Sequence, residues 1–215
     1  MIQQRKNLII LDFDGTILDS TGIWNSAYQI YCKENNLKIS EMICQNKISF
    51  NKWVDSIKEI HKYTQSSTSL IIKLNKIANE LYKKRNPKEG FADFILYRRS
   101  IVKSKIIIVS REEPDLIKTY FKHHLITGVS EVYQDKNQNR TDTNFYIYIS
   151  NMYSCKIQDI TLIDDSLSHC ITAKKVGIFV IGMNDNHPIE RQNEMRLICD
   201  MYVNDFIPLF NLWTN

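Results

Sequence analysis

Leu8-Ile9-Ile10-Leu11-Asp12-Phe13-Asp14-Gly15-Thr16-Ile17-Leu18-Asp19-Ser20 is the stretch from which the rest of the chain is read. An unbroken apolar run followed by acids and a glycine describes a strand buried on both faces that ends in a sharp turn. In an open parallel sheet, ligands bind just beyond such strand ends. Asp12 and Asp14 lie two apart, so on extended backbone both side chains leave on the same side and address one ligand. Clustered acids repel one another, so the pair implies a bound cation or a raised pKa on one partner. Mg²⁺ is the natural cation because it takes hard oxygen ligands while keeping waters and phosphate oxygens around it. Gly15 allows the backbone to turn where a side chain would clash, and the Thr16 hydroxyl is available to fix the turn or a carboxylate.

Asp12-Phe13-Asp14-Gly15-Thr16 resembles motif one of the haloacid dehalogenase superfamily, Asp-x-Asp-x-Thr, whose phosphatase members often carry Gly before the Thr. The resemblance implies that Asp12 is the nucleophile, that Asp14 is a general acid and base, and that Gly15 and Thr16 belong to the phosphate-binding turn. Asp and Gly also make ordinary surface turns, so the rest of the chain has to supply context. Lys105-Ile106-Ile107-Ile108-Val109-Ser110 reads as a second strand ending in Ser, the residue with which the family hydrogen-bonds the phosphate. Ser110 equally suits a cap for a helix opening at Glu112 and Pro114, and the two roles coexist.

A third strand-like run, Asp159-Ile160-Thr161-Leu162-Ile163-Asp164-Asp165-Ser166, ends in an acidic pair that resembles the Asp/Glu-Asp-Ser motif of capped phosphatases and phosphomutases in this superfamily. By that resemblance Asp165 is a direct metal ligand and Asp164 ligates directly or through water. The plain alternative is an acidic helix start. Where a common form of the motif has another acid four residues on, this chain has His169, which we read as structural or solvated. The family also requires a cation roughly two dozen residues ahead of the metal carboxylate. Arg140 stands at that distance, with Lys136 and Lys156 as alternatives. Guanidinium is always charged and grips phosphate in a bidentate fork, so Arg can serve where the family usually has Lys.

Composition sets outer bounds. A chain of 215 residues with 43% hydrophobic content can build one core domain and a smaller insertion. Cys32, Cys44, Cys155, Cys170 and Cys199 show neither paired nor metal-ligand spacing, which suits a reducing compartment, and Cys155 and Cys170 read as core packing. No apolar run reaches membrane-spanning length, and Arg5-Lys6 leads straight into a strand rather than a signal peptide, so a cytoplasmic location is expected, with signal-less export left open. Net charge is a mild +4. Its clusters, Lys83-Lys84-Arg85 and Arg98-Arg99, read as solvated helix ends, and without zinc spacing, an RNP-like stretch or a basic-aromatic repeat no nucleic-acid partner is expected.

The distance from Asp12 to Ser110 far exceeds one crossover helix, so something is inserted between the first two strands. The inserted segment carries helical spacing at Ile23, Tyr28 and Tyr31, at Trp53, Ile57 and Ile60, and at Leu70, Leu74, Ile77 and Leu81. The expected architecture is α/β, a Rossmann-like three-layer parallel sheet with a helical cap after the first strand: core domain 1–19 and 87–215, cap 20–86. Trp24, Tyr28, Tyr31 and Trp53 form the core of the cap or line a substrate cleft. Farther on, the spacing predicts a helix over Phe91 to Arg99, another around Leu116 to Phe121, a short strand over Val129 to Tyr133, and a fifth strand from Ile178 to Ile181 after a helix ended by Gly177. Asn144 to Met152 alternates like a strand, but the connection needs a crossover, so a helix is expected.

The resemblance implies a Mg²⁺-dependent phosphomonoester hydrolase acting through an aspartyl phosphate on a phosphorylated small molecule or a phosphoprotein. A phosphomutase uses the same acids, a phosphotyrosine phosphatase differs only in the substrate face of its cap, and a catalytically idle binding protein is the reading outside enzymology. Dehalogenation is disfavoured, because those relatives lack the acid at the position of Asp14.

Overall fold

The computed structural model describes residues 8–45, 50–64, 66–135 and 139–214. In chain order its elements are β1 (Leu8–Leu11), α1 (Ile23–Glu34), α2 (Glu41–Gln45), α3 (Phe50–Ile60), α4 (Ser67–Lys83), α5 (Phe91–Ser100), β2 (Lys105–Ser110), α6 (Pro114–His123), β3 (Glu131–Gln134), α7 (Thr143–Met152), β4 (Ile160–Asp164), α8 (Leu167–Lys175), β5 (Phe179–Met183), α9 (Ile189–Ile198), β6 (Met201–Val203) and α10 (Ile207–Thr214). They gather into two compact units, Met1–Asp19 with Asn86–Asn215 and Ser20–Arg85.

The first unit is built on a parallel six-stranded sheet of order β3-β2-β1-β4-β5-β6. Its central strands β1, β2 and β4 are buried and rich in Ile, Val and Leu, as expected of a sheet covered on both faces. β1 lies in the middle, with Leu11 level with Ile108 of β2 and with Ile163 of β4, so Asp12, Ser110 and Asp164 emerge at the same edge. The chain runs outward from β1 through β2 to β3, then resumes on the other side of β1 at β4. That reversal is the switch point where open α/β sheets bind their ligands.

Alternation along β1 divides the core. Leu8 and Ile10 join Ile107, Val109, Leu162 and Val180 in one cluster with residues of α7, α8 and α9. Phe13, of opposite parity to Ile10, packs edge-on to Tyr120 and Phe121 of α6, with centroid separations of 5.2 and 6.1 Å. Burying that ring contributes on the order of 2–3 kcal/mol and anchors the backbone between the two motif-one acids.

α7 is a helix because its buried residues, Phe145, Tyr146, Ile149 and Ser150, follow helical spacing while Ile147 and Tyr148 are exposed, and because Asp142 caps it by accepting the Asn144 N–H. α8 ends in a left-handed Gly177: Ile178 N–H donates to the Ala173 carbonyl and Gly177 N–H to that of Lys174. One expectation fails here. Arg98 is not a solvated helix end: it is buried on α5, and burial pulls its pKa down to about 10, whereas Arg99 is exposed.

The second unit is helical throughout its described residues, and its core joins α1, α3 and α4. Tyr28, Tyr31 and Trp53 are buried in that core and Trp24 packs against it. Their polar ends are satisfied within the unit: Tyr28 Oη meets His61 Nε2 at 2.9 Å and accepts the Ser40 N–H, while Trp53 Nε1 donates to the Ile43 carbonyl. The stripe on α4 turns relative to the sequence reading, with Leu70, Leu74, Ala78 and Tyr82 buried where Ile77 and Leu81 were expected to be. On α3, Val54 is buried and Ile60 is exposed. Among the described residues no helix is long and apolar enough to cross a membrane.

Candidate active site

The motif-one turn is held from both sides. Asp12 N–H donates to the Ile163 carbonyl of β4, and beyond it Ile17 N–H reaches the Phe13 carbonyl and Gly15 N–H that of Leu18, both at 2.9 Å. Gly15 has φ of +74°, and a Cβ there would stand 2.7 Å from the Asp165 carboxyl and 2.8 Å from Asp185 Oδ2. The turn therefore wedges bare backbone against two acids, which only glycine permits.

Around it the ends of β1 and β4 bring acids together. One carboxylate oxygen from each of Asp12, Asp164 and Asp165 lies within 4.8 Å of the others. The Thr16 hydroxyl donates to Asp165 Oδ1 at 3.3 Å. Arg140, only 2% exposed, spans the group: its Nη1 is 3.0 Å from Asp12 Oδ1 and 3.0 Å from Asp164 Oδ2, and its Nε is 3.1 Å from Asp135 Oδ2. Asp164 is wrapped further, since it also accepts the Ser166 N–H at 2.8 Å and lies 3.0 Å from His169 Nδ1.

The charges respond to these surroundings. Burial pushes Asp12 well above the usual carboxylate range; Arg140 pulls it back, and Asp164, Asp165 and Asp14 push it up again. Burial would raise Asp164 as well, but Arg140, His169 and the Ser166 N–H outweigh it and hold the carboxyl below its ordinary value. Burial alone would lower Arg140, yet Asp12, Asp164 and Asp135 keep it above the ordinary guanidinium value.

Of the residues singled out in the sequence, Asp12, Thr16, Arg140, Asp164 and Asp165 meet in one set of contacts, with Gly15 packed against Asp165. Asp14 is half-buried beside them and acts on the charge of Asp12, although its carboxylate is outside the three-acid cluster. Ser110 is buried at the end of β2, its Oγ accepting the Glu112 N–H ahead of Glu113, the residue that caps α6. Lys156 is exposed, and Lys136 lies outside the described residues. His169 is the structural partner of Asp164 rather than a solvated side chain. Four residues escaped the sequence reading: Asp135, which secures Arg140; His187, whose Nε2 is 3.0 Å from the Asp165 carbonyl; and Lys88 and Asp185 beside Gly15. Only Asp135 carried a signal, an acid directly after a strand end.

Hard oxygen donors suit a small divalent cation, and the charge balance agrees with one. Three clustered carboxylates face one guanidinium, and burial together with the neighbouring carboxylates drives Asp12 toward its neutral form.

The family model of haloacid dehalogenase-like hydrolases matches residues 9–183, and the chain belongs to that family. Among solved structures it is similar to a protein from Thermotoga maritima described as a beta-phosphoglucomutase, with TM-score 0.75 and 14% identity over 97% of this chain and 98% of that one. It is similar to the HAD-hydrolase YfnB of Bacillus subtilis, solved bound to magnesium, with TM-score 0.74 and 14% identity over 98% of this chain and 100% of that one. A predicted phosphoglycolate phosphatase from Haemophilus somnus matches at TM-score 0.70 and 16% identity over 99% of both chains. At such identities the likeness establishes the fold. No curated protein matches the chain.

Proposed function

We propose that the protein is a Mg²⁺-dependent phosphomonoester hydrolase that works through an aspartyl phosphate on Asp12. The observation carrying this reading is the single Arg140 nitrogen that touches both Asp12 and Asp164 inside a three-carboxylate cluster at the sheet's switch point. A cation held by Asp12, the Asp14 backbone carbonyl and Asp165 would neutralise the phosphoryl oxygens. Asp164, whose oxygens already carry Arg140, His169 and the Ser166 N–H, suits a water-mediated role.

In the chemical step an Asp12 oxygen bonds to phosphorus in line as the ester P–O bond breaks, and Asp14 gives its proton to the departing oxygen. Asp14 then takes a proton from the water that attacks the same phosphorus, which releases phosphate and returns Asp12 as a carboxylate. Arg140 favours the ionised, attacking form of Asp12 and, with Ser110, completes the charge and hydrogen-bond cage around the phosphoryl group, which the Gly15-Thr16 turn borders. In this reading residues 1–19 and 87–215 are the catalytic core and 20–86 a cap that selects the substrate, a phosphorylated small molecule or a phosphoprotein. Five free cysteines suit a reducing compartment such as the cytoplasm.

The test is p-nitrophenyl phosphate hydrolysis with Mg²⁺, with EDTA and for Asp12→Asn, followed by phosphosugars, nucleotides, phosphoglycolate and phosphotyrosine peptides. Turnover that requires Mg²⁺ and vanishes in Asp12→Asn supports the reading, and the panel then names the substrate class. A folded, Mg²⁺-binding protein without turnover on any ester refutes it.

A further inference from the structure

Lys88 lies just after Pro87, where the chain re-enters the α/β unit, and its side chain is only 13% exposed. Its ammonium donates to the Gly15 carbonyl at 2.6 Å and to the Asn184 carbonyl in the loop after β5, and its own N–H donates to the Ile17 carbonyl at 2.7 Å. Asp185 Oδ1, which has no hydrogen-bond partner among the described residues, faces the ammonium at 3.9 Å. The neighbouring residues are held as well. Glu89 accepts the Phe206 N–H at 2.9 Å, and a Cβ on Gly90 would meet the Ile207 nitrogen at 2.9 Å.

Gly15 is the residue on which such a grip matters. It joins Asp14 to Thr16, has the widest backbone freedom of any residue type, and adopts a left-handed conformation pressed against the Asp165 and Asp185 carboxylates. A charge-assisted hydrogen bond to its carbonyl fixes the peptide that follows it, and with it the placing of Asp14 on one side and of the Thr16 hydroxyl, which holds Asp165, on the other.

We infer that Lys88 is a positioning residue: its ammonium clamps the Asp14-Gly15-Thr16 turn to the loop after β5 and so aims the acid–base carboxylate and the Asp165 ligand. Its kinetic consequence rests on the phosphatase reading; the clamp itself does not. Neither Pro87-Lys88-Glu89 nor its spacing from motif one signals the contact, which exists only because the return from the helical insertion passes beneath the turn.

The experiment compares the full-length wild type with Lys88→Met by amide hydrogen exchange over residues 12–18 and by steady-state kinetics on p-nitrophenyl phosphate. The clamp predicts exchange in that segment faster by about tenfold or more, with β2 and β4 unchanged. It also predicts kcat lower by about 10- to 100-fold with KM within about threefold, because misplacement of a reacting group is felt in the chemical step. Lys88→Gln, which keeps a neutral donor, shows the same pattern at smaller size and serves if the Met variant does not fold. Asp185→Asn, which leaves both carbonyl bonds in place, leaves exchange over residues 12–18 at the wild-type rate. Unchanged exchange in the Lys88 variants overturns the clamp, and so does exchange in Asp185→Asn as fast as that in Lys88→Met, which would assign the effect to the ion pair. A wild type without turnover overturns the kinetic consequence together with the phosphatase reading, while faster exchange in the variants would still uphold the clamp.

Discussion

Asp12 and Asp164 end neighbouring strands, touch the same Arg140 nitrogen at the same 3.0 Å and are both withdrawn from water, yet their acidities move in opposite directions. Burial is the largest influence on each and favours the neutral form on each. What differs is the company. Asp164 has a histidine nitrogen and a backbone N–H beside the guanidinium, whereas Asp12 has three more carboxylates pressing on it. A saturated carboxylate is a fixture, and one left short of positive charge is ready to bond to something else. Two buried aspartates are thereby divided into a scaffold and the proposed nucleophile.

The comparison breaks most visibly in turnover. Asp12→Asn should reduce p-nitrophenyl phosphate hydrolysis by about 10⁴-fold or more, as loss of a nucleophile does elsewhere, while Asp164→Asn retains measurable activity in the same assay. Removing the shared cation comes next. Arg140→Met leaves Asp12, Asp164 and Asp135 buried without it and should cost roughly 3–5 kcal/mol of stability in urea unfolding. Arg140→Lys keeps the charge but loses the planar fork, and should recover about half of that. Smaller again is His169→Ala, which takes one donor from Asp164 and should destabilise the protein by about 1–2 kcal/mol, read in the same titration.

The smallest effect is in pH. Asp12 has a folded pKa above the ordinary 3.8, so its contribution to stability is full below that value and is lost as pH rises through the folded pKa. Asp164 has the opposite shift from 3.8, so its contribution is present above that value and is lost as pH falls through its folded pKa. In metal-free protein at neutral pH, Asp12→Asn should therefore be more stable than wild type by about 1 kcal/mol, and the gain should shrink toward about pH 4. Mg²⁺ should raise the wild type's midpoint and leave that of Asp12→Asn nearly unmoved.

The parts of the molecule legible in the sequence are those in which neighbours along the chain determine the outcome. β1 is an unbroken apolar run, β2 carries Ile106–Val109 and β4 is apolar apart from Thr161 and its closing acid, and an acid at the end of such a run is carried to the ligand edge whatever else the chain does. α7 was ambiguous because its alternation is an accident of exposed Ile147 and Tyr148, resolved only by the need for a crossover. On α4 the buried residues are Leu70, Leu74, Ala78 and Tyr82, and the small Ala78 and the polar-tipped Tyr82 carry too little apolar signal for spacing alone to pick them over Ile77 and Leu81. Arg98, in an apparently solvated basic pair, is buried on α5, which spacing alone does not reveal. Among three candidate cations, chain distance could not single out Arg140, because what selects it is a contact across space, the Asp135 carboxylate that holds its guanidinium. Lys88 and His187 were unreadable for the same reason: each acts on a backbone carbonyl far away along the chain, and carbonyls leave no mark in a sequence.

The order of strands in the sheet carries a consequence for how the molecule is made. β1 is hydrogen-bonded to β2 on one flank and to β4 on the other, and both lie far downstream of it. On the ribosome, Leu8–Leu11 has no sheet partner until Lys105–Ser110 has emerged and remains an edge until Ile160–Asp164 follows, while the helical unit between them closes on local contacts. The segment bearing the proposed nucleophile is thus synthesised well before the strands that shelter it, so chaperone dependence should concentrate on this short apolar run during translation.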